Sequence, residues 1–237
     1  MIHSSAVIDP AASVHESCTI GPFAVIGADV VLGAGNTVGP HVVISGPTTI
    51  GEDNHIFQFA SIGADPQDLK FDGADSRLQI GSRNRIREFV TINRGTSGGG
   101  GLTCIGDDNL LMAYVHIAHD CRVDNHTVFA NSASLAGHVS VGDYAILGGF
   151  SLVHQFSRIG AHSFSGMGSV INKEGLKRRG FSVEEIRAIQ QSYVKLVRRK
   201  GVIEDEVFAQ VEQLATEYQG VKHMLEFVRS ASRGIVS

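Results

Sequence analysis

The amino-acid sequence predicts a β-solenoid followed by a small α-helical domain, and three observations predict this fold class. Aliphatic residues recur at every sixth position through most of the first 171 residues. Two polar, glycine-rich stretches interrupt the pattern, which resumes after each of them. After Ile171 the apolar residues take the spacing of amphipathic helices. A repeating six-residue unit is typical of a solenoid, in which each coil buries its apolar side chains against its neighbours.

The six-residue repeat is the strongest of these signals, because ten consecutive hits open the chain. Aliphatic residues of this kind make up roughly a quarter of an average chain, so chance periodicity in a β-sandwich is a poor alternative. A period of six fits neither an α-helix nor a free-standing strand. The first run comprises Ile8, Val14, Ile20, Ile26, Leu32, Val38, Ile44, Ile50, Ile56 and Ile62. The later runs comprise Ile80, Ile86 and Ile92, then Ile105, Leu111, Ile117, Val123, Phe129, Leu135, Val141, Leu147, Val153, Ile159 and Ile171, with Ser165 as an exception.

Each hexad is expected to form one short flat side and a turn, with its aliphatic residue pointing inward. Three hexads make a triangular coil, so residues eighteen apart in the chain should stack in register. Glycine often follows the aliphatic residue, as in Gly21, Gly27 and Gly33. We expect the glycine-, asparagine- and aspartate-rich neighbours to supply the turns, where a positive φ is needed.

The two interruptions, residues 64–79 (ADPQDLKFDGADSRLQ) and 93–104 (NRGTSGGGGLTC), are predicted to be loops expelled from the coil wall. Long loops on a rigid scaffold often carry binding residues, although flexible decoration is the alternative. The solenoid is predicted to span residues 1–172 and a helical domain residues 173–237. In that domain Ser182 and Glu185 have the spacing of a capping box, and further helices are expected at 203–218, with Gly220 as a stop, and at 221–230.

Composition and charge narrow the class of protein. The chain has 237 residues, a formal net charge of −4 and three widely spaced cysteines. The negative charge argues against a nucleic-acid partner, because such proteins carry a basic surface. The odd, unpaired cysteines argue against a disulfide framework. Without a signal-peptide pattern or an apolar run of transmembrane length, the sequence predicts a soluble, cytoplasmic protein with no stable membrane insertion.

The stretch HIAHDC, residues 116–121, is the leading candidate for a functional site. Three hexads per coil place His119, Gly137 and Gln155 in one column and Asp120 and His138 in the next. His116 and His154 lie within a residue or two of the same edge. Because coils stack about 4.8 Å apart, these groups are predicted to gather in a patch roughly 10 Å wide.

Three interpretations of this patch are open from the residues alone. A histidine beside a carboxylate can accept a proton near neutral pH, and a glycine N–H can bind a developing oxyanion. With no serine at the focus, this arrangement favours direct transfer of an acyl group from a thioester to a hydroxyl. Alternatively, three imidazoles could hold zinc, or the histidines could merely pack along an edge.

The sequence also resembles a known family. The hexad run, together with QDLK, IREFVTINRGT, HIAHDC, LAGHVSVGDYAILGG, VHQF and NKEGLKRRGFS, closely resembles the UDP-N-acetylglucosamine O-acyltransferases of lipid A synthesis. The resemblance covers nearly the whole chain. It implies a left-handed parallel β-helix and a homotrimer with active sites between subunits. It also implies transfer of a 3-hydroxyacyl group from acyl carrier protein to the glucosamine 3-hydroxyl of UDP-N-acetylglucosamine, without a cofactor or a metal.

The resemblance implies roles for individual residues. His119 corresponds to the general base, Asp120 to the residue that orients it, and the Gly137 amide to the oxyanion donor. The substrate-binding positions implied are Lys70, His116, His138, His154, Gln155, Asn172, Glu174, Arg178 and Arg179, of which the last four would contact the uridine and the diphosphate. An arginine guanidinium presents a planar fork that suits phosphate oxygens.

Met167 falls at the position that sets acyl-chain length in this family. Because methionine is larger than the glycine of some members, we expect a shorter donor of the 3-hydroxydecanoyl kind. The alternative function is that of a zinc-dependent trimeric enzyme resembling γ-carbonic anhydrase, which also uses histidines on such a solenoid.

Overall fold

The computed structural model describes residues 1–165, 169–171, 173–197 and 203–230. The chain divides into two compact units, Met1–Ala161 and His162–Ser237. This division falls after Ala161 rather than after residue 172, where the sequence places the boundary. Among the described residues, no helix combines the length and the apolar character needed to cross a bilayer.

The first unit is a coil of short parallel strands that form three sheets. One sheet contains β1 (Val7–Ile8), β4 (Val25–Ile26), β7 (Val43–Ile44), β10 (Ser61–Ala64), β13 (Thr91–Asn93), β16 (His116–Ile117), β19 (Ser134–Leu135) and β22 (Leu152–Val153). The second contains β2 (Ser13–Val14), β5 (Val30–Leu32), β8 (Thr48–Ile50), β11 (Arg77–Ile80), β14 (Leu102–Ile105), β17 (Arg122–Val123), β20 (Ser140–Val141) and β23 (Arg158–Ile159). The third contains β3 (Thr19–Ile20), β6 (Thr37–Val38), β9 (His55–Ile56), β12 (Arg85–Ile86), β15 (Leu110–Leu111), β18 (Val128–Phe129) and β21 (Ile146–Leu147).

The register between coils is the predicted one. Ile117 pairs with Leu135, which in turn pairs with Val153, so successive partners are eighteen residues apart. The aliphatic residues of the hexads form one continuous apolar core, and most of them, such as Ile44 and Ile62, are fully buried. The predicted inward orientation is therefore confirmed.

The prediction that glycine, asparagine and aspartate supply the turns is confirmed for several aspartates, such as Asp108 and Asp120, which have a positive φ, but not for Gly21 and Gly33. Gly21 and Gly33, which follow aliphatic residues, do not have a positive φ; a Cβ on either would lie within 3.0 Å of the backbone of the next coil. These glycines therefore permit close stacking rather than a left-handed turn. The left-handed conformation instead falls on larger residues at six-residue intervals: Asp108, Tyr114, Asp120, His126, Ser132, His138, Tyr144, Phe150 and Phe156.

Ring stacking accompanies this strained conformation at several corners. His138 stacks on Phe156 with ring centroids 4.5 Å apart, and Phe89 stacks on Tyr114 at 4.9 Å. A left-handed φ costs roughly 1–2 kcal/mol for a residue with a Cβ. Stacking of aromatic pairs contributes about 0.5–1.5 kcal/mol, so it offsets much of this cost.

A column of buried polar side chains runs along the corner of the coil that directly precedes the strands of the third sheet. It consists of Asn36, Asn54, Asn84, Asn109 and Thr127. In each step, the Oδ1 atom of one asparagine accepts the backbone N–H of the next residue in the column, at 2.7–2.9 Å. Side-chain amide groups also donate to backbone carbonyls, as in Asn54 Nδ2 to the Gly81 oxygen at 2.9 Å. The successive coils from Asn36 to Thr127 are thereby bonded to one another inside the core, where an unpaired polar group would be costly.

The two expelled loops leave the coil with one local shift of register, a bulge between Ile62 and Ala64 where β10 pairs with β13. Successive asparagines of the column are thirty residues apart across the first loop and twenty-five across the second, instead of eighteen. The strands take residues from both ends of the predicted loops, because β10 continues to Ala64, β11 begins at Arg77 and β14 begins at Leu102. The extruded segments are thus 65–76 and 94–101, and the second contains a single 3₁₀ turn at Ser97–Gly99.

In its described residues, the second unit contains an antiparallel strand pair, β24 (Ser163–Ser165) and β25 (Ser169–Ile171), and four helices. The helices are α1 (Lys173–Arg178), α2 (Val183–Leu196), α3 (Asp205–Ala215) and α4 (Gln219–Arg229). As predicted, the Ser182 side chain caps α2 by accepting the Glu185 N–H at 3.0 Å. The Glu185 carboxylate does not complete the capping box but accepts the Gly220 N–H at 3.1 Å. The prediction that Gly220 ends the preceding helix is wrong, since Gly220 lies in the first turn of α4. A Cβ at this position would lie 2.6 Å from Ile189 Cδ1.

We predict that Asn54→Ala lowers the free energy of unfolding by at least about 2 kcal/mol, because it leaves the buried Asn84 backbone N–H without its acceptor and the Gly81 carbonyl without a donor. Chemical denaturation followed by circular dichroism measures this change. Thr49→Ala is the control, because Thr49 is exposed on the neighbouring strand β8. Equal stability of the two variants would contradict a stabilising role for the column.

Candidate functional site

The predicted columns of polar residues are present at one corner of the first unit. The corners that follow β16, β19 and β22 lie on successive coils, since these strands pair in that order. The His138 N–H donates to the His119 carbonyl oxygen at 3.1 Å, and the Phe156 N–H donates to the Gly137 oxygen at the same distance. These bonds place His119, Gly137 and residue 155 in one column and residues 120, 138 and 156 in the next, as the sequence predicts.

His119 and Asp120 form the central pair. His119 Nδ1 lies 2.8 Å from Asp120 Oδ2, and the two side chains are 14% and 1% exposed, respectively. Because an ionised carboxylate only accepts hydrogen bonds, this contact requires the proton on Nδ1 and leaves Nε2 of a neutral ring as the acceptor. The pair thus presents a basic nitrogen whose tautomer is set by a buried carboxylate.

The Asp120 carboxylate has further partners on the second expelled loop. The Thr96 N–H donates to Oδ1 at 3.0 Å and to Oδ2 at 3.2 Å, and the Thr96 hydroxyl donates to Oδ2 at 2.6 Å. The Asp120 backbone N–H donates to Thr103 Oγ1 at 2.8 Å. Charge-assisted hydrogen bonds of this kind compensate for the removal of a carboxylate from water.

Gly137 lies directly against the His119 ring. A Cβ at this position would lie 2.5 Å from His119 Cε1 and 2.7 Å from Nε2, which is closer than real Cβ contacts. Only glycine therefore allows the imidazole to occupy its observed position. Within the described part of the chain the Gly137 N–H has no acceptor, so it is available to bind a ligand oxygen near Nε2.

His138 completes the group on the next coil. Its ring meets that of His119 edge-on, with centroids 5.1 Å apart, and its Nε2 lies 4.0 Å from Asp120 Oδ2. Ligand atoms of His119, Asp120 and His138 lie within 4.8 Å of one another, so these three residues could hold a metal ion. The acceptor capacity of Asp120 Oδ2 is, however, already used by donors from His119 and Thr96, which disfavours a metal at that atom.

His116 lies on β16 beside the pair. Its Nδ1 is 2.7 Å from Thr91 Oγ1 on the neighbouring strand β13. Burial, and secondarily the charge of nearby His119, lowers the pKa of His116. His116 is therefore a neutral hydrogen-bonding group at neutral pH.

The remaining predicted residues are less closely associated with the pair. His154 and Gln155 are exposed on the following coil, where His154 Nδ1 lies 3.2 Å from the Gln155 carbonyl oxygen. Lys70 is exposed on the first expelled loop, and its backbone N–H donates to Asp68 Oδ1 at 2.9 Å. Among the described contacts, the Lys70 side chain makes no hydrogen bond to the histidines.

The predicted nucleotide-binding residues belong to the second unit. Arg178 ends α1 and Arg179 follows it, and both are exposed. Met167, Asn172 and the side chain of Glu174 lie outside the described residues. Their predicted roles therefore rest on the family resemblance.

Sequence reasoning missed Thr91, Thr96 and Thr103, which contact the predicted histidine and aspartate. Thr91 could have been found from the repeat, because it precedes Ile92 just as His116 precedes Ile117. These two positions pair between β13 and β16. Thr96 lies in an expelled loop, twenty-four residues before Asp120, so no repeat phase connects the two.

The burial of Cys121, the residue that follows Asp120, can be tested by the reactivity of its thiol. Burial raises the pKa of the Cys121 thiol to about 12, and the thiol lies 3.1 Å from the Ala136 carbonyl oxygen. Since the thiolate is the reactive form, we predict that iodoacetamide at pH 8 leaves Cys121 unmodified in the folded protein while labelling partly exposed Cys104. Peptide mass spectrometry measures both sites, and unfolding in guanidinium should make them equally reactive. Equal labelling in the folded protein would contradict the burial.

Family models match both units. The model described as domain 2 of UDP N-acetylglucosamine O-acyltransferase matches residues 164–236, and the model for six bacterial transferase hexapeptide repeats matches residues 11–46. Relatives named acyl-[acyl-carrier-protein]–UDP-N-acetylglucosamine O-acyltransferase match nearly the full length. That of Stenotrophomonas maltophilia is 50% identical, over 99% of this chain and 97% of its own, and that of Janthinobacterium is 49% identical, over 100% and 99%.

Solved structures agree over the whole chain. The UDP-N-acetylglucosamine O-acyltransferase of Moraxella catarrhalis has a TM-score of 0.93 and 40% identity, covering 100% of this chain and 99% of its own. The UDP-N-acetylglucosamine acyltransferase of Francisella novicida has a TM-score of 0.92 and 39% identity, covering 100% and 94%. The predicted fold class, a left-handed parallel β-helix with a C-terminal helical region, is confirmed.

Proposed function

The chain belongs to the family of acyl-[acyl-carrier-protein]–UDP-N-acetylglucosamine O-acyltransferases, and from this premise we propose the reaction that it catalyses. It transfers a 3-hydroxyacyl group from acyl carrier protein to the glucosamine 3-hydroxyl of UDP-N-acetylglucosamine, the first step of lipid A synthesis. The observation that carries the proposal is the His119–Asp120 pair, with its 2.8 Å contact, packed against Gly137, whose N–H has no acceptor among the described residues.

In the proposed mechanism His119 Nε2 takes the proton of the 3-hydroxyl as the oxygen attacks the thioester carbonyl carbon. Asp120 holds Nδ1–H and stabilises the imidazolium that forms. The carbonyl oxygen gains negative charge and accepts the Gly137 N–H, a contact worth about 3–4 kcal/mol in comparable sites. The intermediate then expels the carrier-protein thiolate, which takes the proton from His119, so the ester forms without an acyl-enzyme.

The remaining residues are proposed to bind substrate. The side chains of His116, His138, His154 and Gln155 can hydrogen-bond sugar and acyl oxygens. Lys70 can reach a substrate from the first expelled loop. Asn172, Glu174, Arg178 and Arg179 are proposed to bind the uridine and diphosphate, as the resemblance implies. No cofactor takes part in this mechanism.

The site is proposed to be completed by neighbouring subunits of a homotrimer. Phe150 and Leu152, on the coil that carries His154, are 78% and 82% exposed. Large apolar side chains left so exposed near a functional site are typical of a protein interface. A neighbouring subunit at this edge would exclude water from the histidines.

We predict that His119→Ala lowers the rate of acyl transfer about 10²- to 10⁴-fold, the range for loss of a general base. Mass spectrometry of UDP-N-acetylglucosamine incubated with acyl-loaded carrier protein detects the added acyl group. His126→Ala is the control, because His126 occupies an equivalent corner elsewhere and stacks on Tyr144.

The same assay distinguishes the alternative function. A zinc enzyme resembling γ-carbonic anhydrase would lose activity with a chelator and contain stoichiometric zinc, whereas the proposed acyltransferase keeps its rate after exhaustive chelation. Absence of acyl transfer by the wild-type protein, with donors shorter than, equal to and longer than 3-hydroxydecanoyl carrier protein, would reject the proposal.

Met167 is proposed to limit the donor to a 3-hydroxydecanoyl-like chain. We predict that Met167→Gly shifts the preference toward 3-hydroxymyristoyl carrier protein, because removal of the methionine side chain lengthens the space for the acyl tail. The ratio of kcat/KM for the two donors, measured in competition, reports the shift. An unchanged ratio would contradict the assignment, and Met112→Gly is a control for the loss of a methionine elsewhere.

A further inference from the structure

The second expelled loop, residues 94–101, folds back onto the proposed catalytic pair. Its ends are tied to the coil, since the Gly95 N–H donates to the Arg77 carbonyl oxygen at 3.1 Å and the Arg77 N–H donates to the Gly101 oxygen at 2.8 Å. Inside the loop, the N–H groups of Gly99 and Gly101 both donate to the Thr96 carbonyl oxygen, at 3.0 and 2.8 Å. Thr96 is therefore fixed by the loop backbone on one side and is only 9% exposed.

Thr96 directs both of its donors at one carboxylate. Its N–H reaches both oxygens of Asp120, and its hydroxyl lies 2.6 Å from Oδ2, the oxygen that also contacts His119. Among the described residues, Thr96 thus supplies the hydrogen bonds to the Asp120 carboxylate other than the one from His119. Since the Asp120 side chain is 1% exposed, water cannot replace them fully.

The glycines of the loop are required for this contact. A Cβ on Gly99 would lie 2.1 Å from the Asp120 carboxyl carbon. A Cβ on Gly95 would lie 2.8 Å from Oδ1 and 2.2 Å from the Leu102 nitrogen. The glycines of the loop thus allow its backbone to contact the carboxylate closely. This role differs from that of a flexible surface loop without a function.

The Asp120 carboxylate has a competing partner. His138 Nε2 lies 4.0 Å from Oδ2, so a modest rotation of the carboxylate would bring Oδ2 toward His138 and away from His119. We propose that Thr96 is a positioning residue that holds Asp120 Oδ2 on His119 Nδ1. Through this carboxylate the loop sets the orientation of the proposed general base, and the inference rests on the proposed function.

The first test is a matched series at residue 96. Thr96→Val keeps the shape and the backbone N–H but removes the hydroxyl, and is expected to lower kcat about tenfold, as for loss of one charge-assisted hydrogen bond. The KM values for both substrates should change little, because Thr96 acts through Asp120. Thr96→Ser retains the hydroxyl and should restore kcat, and Ser97→Ala, on the exposed neighbour in the same loop, should leave it unchanged.

The second test is a double-mutant cycle with Asp120→Ala. If Thr96 acts through the carboxylate, Thr96→Val causes no further loss of kcat in the Asp120→Ala background. Multiplicative losses would show an independent structural role and overturn the inference. Thermal melting of each variant checks the fold, and Thr96→Ala replaces Thr96→Val in the cycle if the valine variant does not fold.

The outcomes separate this inference from the function on which it rests. A wild-type protein without acyl transfer would overturn both. Wild-type transfer that falls with Asp120→Ala but is unchanged by Thr96→Val would overturn the positioning role alone, while the proposed function would stand.

Discussion

The register between successive coils determines which side chains can meet in this protein. Strand β16 pairs with β19, and β19 pairs with β22, each with the aliphatic residues of the hexads opposite one another. A slip of one residue would turn the buried aliphatic residues outward and would cost the burial of the entire core. The same register places His119 against Gly137 and His138 beside Asp120. Packing of the core and geometry of the site are therefore consequences of one constraint.

The column of buried asparagines secures this register where the chain makes its largest excursions. Two loops leave the coil between successive asparagines, yet the bonds from Asn54 to Asn84 and from Asn84 to Asn109 keep the geometry of the uninterrupted steps. Hydrophobic packing alone is non-directional, whereas these hydrogen bonds fix one alignment. The solenoid can consequently carry inserted segments without moving the residues that lie on later coils.

The repeat explains which parts of the structure could be predicted. The aliphatic positions, the strand register and the neighbourhood of His119, Gly137 and His138 all follow from a period of six and a coil of eighteen. The asparagine column also has a signal, because each asparagine precedes an aliphatic position by two residues, but the general preference of asparagine for turns hides it. At Gly33 the sequence predicts a turn with a positive φ, whereas the close approach of the next coil is the actual requirement. Residues in the expelled loops do not follow the six-residue repeat, so the repeat cannot predict the contact of Thr96 with Asp120.

The regular coil and the expelled loop have complementary roles at the site. Two coils can present a histidine, an aspartate and a glycine amide at one corner, but the coil wall supplies few donors for a carboxylate buried there. Besides the contact with His119, both oxygens of Asp120 accept hydrogen bonds from Thr96 in the loop. A buried carboxylate needs such donors to remain a well-oriented anion, because desolvation otherwise disfavours it. The solenoid therefore fixes where the pair lies, and the loop that escapes the repeat provides the hydrogen bonds that make this position compatible with a buried charge.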